Sequence, residues 1–303
     1  MTSMPQREPK FAGQLAIFTT AILWSTAGLT IKLVEWHPLI ISASRSLVAV
    51  VFLLFLRLIS PPPKSAKTPF FPLLTSAFVF SLCMISFVAA NRLTTSANAI
   101  LLQYGAPVWA ALLAWLLVKE KPHWEHWGAL VLIFAGLLIF FRGALGAGSL
   151  LGDGIAVLSG IFLGAHSALL RMIKEGNPRD AFLLAHVITA VIGIPFFFLY
   201  PPTIEVTPVM SIVFMGIMQA GLGAVFFSYG IKRVTAVQAL LITTVEPVLN
   251  PLWVFLATGE KPSAAAFAGG AIIIFAVIAS SLIGWHRDER LKLITKTVIT
   301  KKT

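Results

Sequence analysis

Long apolar runs separated by short polar segments dominate the chain. Five runs cover about residues 11–31, 38–56, 70–90, 96–118 and 127–141, and five more cover about 150–170, 181–200, 208–230, 235–257 and 264–285. A helix of about 20 residues is about 30 Å long, the thickness of the hydrocarbon layer of a bilayer. The runs lack the period-two alternation of barrel strands. The pattern predicts an all-α integral membrane protein with ten transmembrane helices.

The composition excludes a soluble globular protein. Apolar residues make up 57% of the 303 residues and charged residues only 12%, about half of the ~25% that is usual in soluble proteins. A water-facing surface needs more charge than this. Cys83 is the only cysteine, so a disulfide within the chain is impossible.

The distribution of lysine and arginine predicts the orientation. If the N-terminus is cytoplasmic, eighteen of the 23 basic residues lie on the cytoplasmic side, four lie opposite, and Arg45 alone lies inside a run. This asymmetry predicts cytoplasmic N- and C-termini in a cell inner membrane, with a cytoplasmic segment at 1–10 and a basic tail at 286–303. The protein is therefore expected to be surrounded by membrane lipid. The charges form no patch between aromatic residues, so no nucleic-acid partner is expected.

An internal repeat relates the two halves. At an offset of 140, nine positions are identical without a gap, and they include Pro107 with Pro247 and Glu120-Lys121-Pro122 with Glu260-Lys261-Pro262. The repeats cover residues 11–142 and 150–285. Because each predicted repeat has an odd number of helices, five, the second enters the membrane in the opposite direction. This predicts an inverted repeat, as in carriers with a site near the membrane midplane.

Several stretches resemble a known family. They are Ala21-Ile22-Leu23-Trp24-Ser25, Ala43-Ser44-Arg45-Ser46-Leu47, the stretch from Pro107 to Glu120, and the stretch from Glu246 to Glu260. In this order and with five helices in each half, they resemble the drug/metabolite transporter superfamily, in particular the EamA-type ten-helix exporters. The resemblance implies an inner-membrane secondary carrier that exports amino acids or other small metabolites. Leu23, Trp24 and Ser25 stand where small multidrug-resistance relatives carry a carboxylate, so that coupling residue is not transferred.

Glu246 is the one acid near the middle of a predicted span. A charged group at the membrane centre costs at least ~2.5–3.5 kcal/mol, and Pro247 beside it leaves a backbone carbonyl free one turn earlier. Two interpretations stay open. Glu246 titrates during transport and couples it to protons, or it is a hydrogen-bonded glutamate that shapes a kink at the proline.

Other polar and aromatic residues at similar depth are candidates for a substrate pocket. An apolar wall with a few hydrogen-bonding groups suits a small amphipathic solute such as an amino acid, although such groups also hold helices together. The candidates are Trp24, Ser25, Gln103, Tyr104, Trp109, His166, Gln219, Thr243, Thr244 and Asn250.

Arg45 lies about a third of the way into the second predicted span. It could contact an anion, such as a carboxylate or phosphate, but a structural role with its head extended to the interface is favoured. In the eighth span, Gly216, Gly221, Gly223 and Gly230 favour close helix contact over a broken helix. Glu120 and Glu260 end equivalent helices, which favours caps or interface pairs over substrate ligands.

Enzymes and channels are the competing classes. His123 and His126 are predicted to lie in a wet interfacial loop and do not complete a metal site, and the sequence contains no phosphate-binding glycine loop. No cofactor, metal or catalytic residue is expected. The alternatives are a multispan membrane enzyme acting on a lipid or isoprenoid and a passive channel. The favoured function is a carrier of a small-molecule substrate that works by alternating access.

Overall fold

The computed structural model describes residues 10–61, 68–142, 145, 149–258 and 263–300, and these residues form helices without any strand. The helices are α1 (Lys10–Ser25), α2 (Ala27–Lys32), α3 (Pro38–Ile59), α4 (Phe70–Leu93), α5 (Ser96–Gln103), α6 (Ala106–Val118), α7 (Trp124–Phe140), α8 (Leu150–Met172), α9 (Arg179–Leu199), α10 (Val206–Phe214), a π-helix (Met215–Leu222), α11 (Gly223–Ile231), α12 (Ala236–Thr243), α13 (Glu246–Thr258) and α14 (Ala264–Thr300).

Seven helical segments of the described chain are long and apolar enough to cross a membrane. They are Pro38–Ile59, Phe70–Asn91, Ala97–Val118, Leu150–Met172, Arg179–Leu199, Val206–Ile231 and Ala264–Arg287. Shorter helices cover the three remaining predicted runs, namely α1 with α2, α7, and α12 with α13. Large apolar side chains such as Val51, Phe55 and Leu58 face outward. The chain is therefore an all-helical multi-pass membrane protein.

Proline explains two interruptions that the continuous runs did not predict. α5 ends at Gln103 and α12 ends at Thr243, four residues before Pro107 and Pro247. A proline has no N–H for the carbonyl four residues earlier, so the helical ladder opens there. The sequence analysis expected a kink at Pro247, whereas the structure interrupts both helices. The first predicted span is also divided, by a turn at Thr26.

Small residues allow the central helices to approach closely. α8 packs against α4 and α6, and α3 packs against α9 and the π-helix. A Cβ atom on Gly164 of α8 would lie 2.7 Å from the carbonyl oxygen of Ala106 and from the amide nitrogen of Ala110. A side chain at this position would therefore separate α8 from α6.

Helices α3 and α9, which are equivalent at the offset of 140, cross in opposite directions. Ser46 and His186 form a hydrogen bond of 3.1 Å, and Arg57 pairs with Asp180. Residue numbers thus rise along α3 while they fall along α9. Ser46 and His186 are also 140 residues apart, so each contacts its own repeat equivalent.

Helices α7 and α14, the last of each repeat, also run in opposite directions. A Cβ atom on Gly136 would lie 2.9 Å from the carbonyl oxygen of Gly269, and further along, Glu125 pairs with Arg287. α14 continues to Thr300, so residues 286–300 of the predicted basic tail are helical and extend the last helix.

The eighth predicted span is continuous, with a π-helix in its middle. Its glycines make the close contacts that their spacing predicted. A Cβ atom on Gly223 would lie 2.5 Å from the indole nitrogen of Trp24, and one on Gly230 would lie 2.7 Å from the carbonyl oxygen of Gly13. The wider π-helical turn changes the direction of the carbonyls in this segment, a local distortion that is frequent at functional sites.

Candidate functional site

The two proline-linked interruptions face each other. The Tyr104 hydroxyl, at the end of α5, donates to Oε2 of Glu246 at 3.0 Å, and it lies 3.5 Å from the carbonyl oxygen of Thr243. That carbonyl is the one that Pro247 leaves without its helical donor. Tyr104 is buried, and Glu246 is the first residue of α13. The tyrosine–glutamate pair therefore joins the two repeats at equivalent breaks.

The first predicted span contacts the π-helix through Trp24 and the residues that follow it. The Trp24 indole N–H donates to the carbonyl oxygen of Gln219 at 3.1 Å. The Gln219 side-chain amide donates to the hydroxyls of Thr26 and Thr30 at 2.9 and 3.0 Å. Trp24 also stacks on Phe227, with ring centroids 5.6 Å apart. The predicted pocket residues Trp24 and Gln219 are thus brought together.

Ser25 connects the same span to α13. Its buried hydroxyl accepts a hydrogen bond of 2.7 Å from the Trp253 indole and donates to the carbonyl oxygen of Ile22. Trp253 and Glu246 are seven residues apart on α13, which is two helical turns or about 10 Å. One face of α13 therefore presents both the tyrosine–glutamate pair and the Ser25 contact.

The remaining candidates of the fourth and ninth predicted spans have structural contacts. The hydroxyls of Thr243 and Thr244 donate to the carbonyl oxygens of Leu240 and Leu241 in their own helix. Trp109 lies against Gly164 of α8. The side chain of Asn250 lies outside the described part of the structure.

His166 belongs to a different polar group, buried between α4, α8 and α9. Its Nδ1 atom lies 2.9 Å from the Ser76 hydroxyl, and its ring stacks on Phe80 with centroids 4.2 Å apart. His186 meets the same phenylalanine edge-on. His166 therefore contacts Ser76 and Phe80 of this group rather than the tyrosine–glutamate pair.

Gln103 links this buried group to the fourth predicted span. Its side-chain amide donates to the Ser159 hydroxyl at 2.8 Å, and Ser159 in turn donates to the carbonyl oxygen of Cys83 at 3.2 Å. Gln103 precedes Tyr104 in the chain. The polar contacts of α4 and α8 thus end beside the tyrosine–glutamate pair.

Sequence reasoning missed most members of this group, which are Ser46, Ser76, Ser81, Ser159, His186 and Thr189. A signal was present in their spacing. Ser76, Phe80 and Cys83 follow the i, i+4, i+7 pattern of one helix face, and Ser159 and His166 are seven residues apart on α8. Small hydroxyls are common in membrane helices, however, so spacing alone does not distinguish a shared polar core from separate backbone contacts.

The side chain of Arg45 is partly buried, and the extension of its head to the interface stays a prediction. Its Nε atom is buried without a hydrogen-bond partner among the described residues. Its guanidinium group lies within electrostatic reach of Cys83 on α4 and His186 on α9. The backbone of Arg45 packs against Gly216 of the π-helix. At Arg45, α3 therefore packs directly against the π-helix.

Two further sequence interpretations have clear outcomes. Glu120 pairs with Arg171 of α8, as an interface pair, while Glu260 lies outside the described residues. The interpretation of His126 as part of a wet loop is wrong, because His126 and Glu125 are buried against α14, where Glu125 pairs with Arg287. Among the residues that the structure describes, no group of three or more histidine, cysteine, aspartate or glutamate side chains could hold a metal ion.

Apolar helices that pack around a buried polar interior, with interrupted helices at the junction of two repeats, define a multi-pass membrane transporter. The chain belongs to the EamA-like transporter family, whose model matches it twice, over residues 11–142 and 150–282. The resemblance noted from the sequence is thus confirmed.

Comparisons with individual proteins agree with the family. The chain is 23% identical over 275 residues to the uncharacterized transporter YwfM of Bacillus subtilis, covering 88% of this chain and 93% of the relative. It is 25% identical over 280 residues to an uncharacterized transporter of Archaeoglobus fulgidus, covering 90% and 96%. A crystal structure with 20% identity superposes with a TM-score of 0.78 over 90% of this chain and 97% of that chain, which supports the fold.

Proposed function

We propose that this protein is a secondary active carrier that exports a small amphipathic metabolite, an amino acid or a similar solute, across the cell inner membrane by alternating access. Ten membrane-crossing segments form two inverted five-helix repeats with cytoplasmic termini. The tyrosine–glutamate pair is the observation that carries the proposal, because it joins the two repeats at their interrupted helices. Interrupted helices at a repeat interface are where carriers of this kind bind their cargo.

The antiparallel crossings support the inverted arrangement. Repeats that are related by an axis along the membrane normal would have their equivalent helices parallel. An axis in the membrane plane makes them antiparallel, which agrees with α3 against α9 and with α7 against α14. A residue that contacts its own equivalent, as Ser46 contacts His186, lies close to the axis.

The polar groups of the candidate site bond to one another and to backbone carbonyls. Trp24, Ser25, Tyr104 and Gln219 each have a partner on a different helix. A solute with an apolar body and a polar end can replace these partners while the helices move apart. Exchange between internal and solute hydrogen bonds changes the net free energy little, so the open and closed states can have similar stability.

In this scheme Glu246 couples the movement of cargo to that of protons. A carboxyl group in a membrane interior is expensive when charged, so it favours states in which a proton, a substrate amine or the Tyr104 hydroxyl is its partner. Exchange between these partners links the protonation of Glu246 to occupancy of the site. The alternative role, in which Glu246 only shapes the break before α13, predicts no such link.

The test is transport by the purified protein in liposomes. Labelled amino acids, nucleosides and sugar phosphates are offered with and without a pH gradient, and saturable counterflow identifies a carrier. Glu246→Gln should abolish accumulation driven by the pH gradient while retaining counterflow, because the amide keeps the shape of the side chain and cannot titrate. Undiminished gradient-driven accumulation would remove Glu246 from coupling. Conversion of a substrate without transport would overturn the carrier itself.

A further inference from the structure

Arg45 is a partly buried cation, and none of the described residues supplies a counter-charge to it. No ion pair or hydrogen bond joins its guanidinium to another described residue, and its Nε atom is inaccessible. By contrast, Arg57 on the same helix pairs with Asp180, and Arg171 pairs with Glu120 and donates to the carbonyl oxygen of Ile231. Buried charges in proteins are normally paired, so an unpaired one indicates a missing partner.

The described residues within electrostatic reach of Arg45 are hydrogen-bonding groups of α4 and α9. His186 of α9 bonds to Ser46, the residue that follows Arg45. Cys83 of α4 lies 3.7 Å from the Ser159 hydroxyl. A thiol and an imidazole can both donate a hydrogen bond to an anion.

A row of polar contacts leads from Cys83 of α4 to Gln103, the residue before Tyr104 in the chain. Cys83 contacts Ser159, and Ser159 accepts a hydrogen bond from Gln103, the neighbour of Tyr104. Arg45 lies within electrostatic reach of Cys83 at one end of this row, and Tyr104, next to its other end, bonds to the acid Glu246. Opposite charges at two ends of one polar row match a solute that carries both signs.

We infer that Arg45 binds the oxyanion of the transported solute, a carboxylate or a phosphate, so that the cargo is anionic or zwitterionic. This inference rests on the proposed function and narrows its substrate class. The planar guanidinium fork is suited to two-point binding of either group. In a zwitterionic solute, the cationic end would face Glu246.

The stability of the ligand-free protein separates this role from a structural one. Arg45→Gln removes an unpaired charge, so the apparent Tm of the purified protein in detergent should stay unchanged or rise. Arg171→Gln is the matched control. It leaves Glu120 without its partner and should lower the Tm. A fall in Tm for Arg45→Gln equal to that for Arg171→Gln would indicate a structural arginine and overturn the inference.

Anion binding is measured on the same preparations with acetate and inorganic phosphate as probes, against chloride at equal ionic strength. At least one oxyanion should raise the Tm of the wild type. Arg45→Gln should weaken its apparent affinity about tenfold or more, Arg45→Lys should weaken it less, and Arg57→Gln should not change it. Stabilisation by acetate alone indicates a carboxylate site, and stabilisation by phosphate alone indicates a phosphate site. No stabilisation beyond chloride, or equal stabilisation of Arg45→Gln, overturns the inference.

Counterflow in liposomes distinguishes failure of this inference from failure of the carrier. If the wild type exchanges anionic or zwitterionic solutes and Arg45→Gln does so with an unchanged KM, the anion site is wrong and the carrier stands. If oxyanion binding depends on Arg45 and the wild type exchanges no solute, the anion site stands and the carrier is wrong.

Discussion

At the residue scale, the contact between Tyr104 and Glu246 combines two effects of proline. Pro107 and Pro247 each remove one helical donor, and the chain opens beside Gln103 and Thr243. The opened turn lets the Tyr104 hydroxyl reach both Glu246 and the carbonyl oxygen that Pro247 leaves free. The single O–H of Tyr104 donates to Glu246 and lies within reach of the Thr243 carbonyl, two groups that are costly to leave without a partner.

Tyr104→Phe removes this hydroxyl while the ring remains. We expect it to lower the free energy of unfolding by about 1 kcal/mol, the usual net contribution of one hydrogen bond, and to slow gradient-driven transport more than counterflow. Thermal unfolding and liposome transport measure the two effects. Tyr200→Phe is the control, since Tyr200 is exposed and its stacking on His37 needs only the ring. Equal behaviour of the two variants would show that the Tyr104 hydroxyl has no special role.

At the element scale, close packing depends on where the glycines lie on a helix. Gly136 of α7 faces α14, and an added Cβ atom would lie 2.8 Å from the Ile273 side chain and 2.9 Å from the carbonyl oxygen of Gly269. Gly128 belongs to the same helix and has nothing within 4 Å of an added Cβ atom. One glycine of α7 is therefore packed tightly against α14, and the other has open space around its Cα atom.

Gly136→Ala should lower the apparent stability, because overpacking costs about 1–3 kcal/mol and the carbonyl of Gly269 cannot rotate away. Gly128→Ala should be neutral or stabilising by up to about 1 kcal/mol, since alanine favours a helix over glycine. The difference in unfolding midpoint between the two variants is the measurement. If Gly136→Ala is as stable as Gly128→Ala, α7 and α14 do not pack as closely as described.

At the scale of the whole molecule, the antiparallel crossings predict the membrane face on which equivalent loop residues of the two repeats lie. Lys121 and Lys261 occupy equivalent positions in the two repeats, so inversion places them on opposite faces of the membrane. Single cysteines are introduced at these positions and treated with a membrane-impermeant maleimide in intact cells. We expect the cysteine at 261 to react from outside and the cysteine at 121 only after permeabilisation. Cys83, which is buried, should contribute little background.

Labelling of both cysteines from the same side would contradict the inverted arrangement. It would leave the family assignment intact, because the two matches to the family model do not depend on orientation. The proposed substrate site at the interrupted helices would then lose its support, since equivalent breaks would no longer face each other across an axis in the membrane plane.

The sequence by itself determined the helical membrane class, the repeat and the special position of Glu246. These properties are local or periodic: run length, spacing of identical residues, and one acid among apolar neighbours determine them. The freed carbonyl beside Pro247 was also predictable, because a missing N–H acts within its own helix.

Only the tertiary structure decided which polar residues meet. It joined Tyr104 to Glu246 across 142 residues, assigned His166 to a separate group with Ser76, and gave the Nε atom of Arg45 no partner among the described residues. Helix periodicity specifies the face on which a residue lies but not which helix covers that face. In a membrane, where lipid and protein are equally apolar, the choice of partner depends on shape and hydrogen bonding between distant segments, and these become defined only when the bundle is assembled.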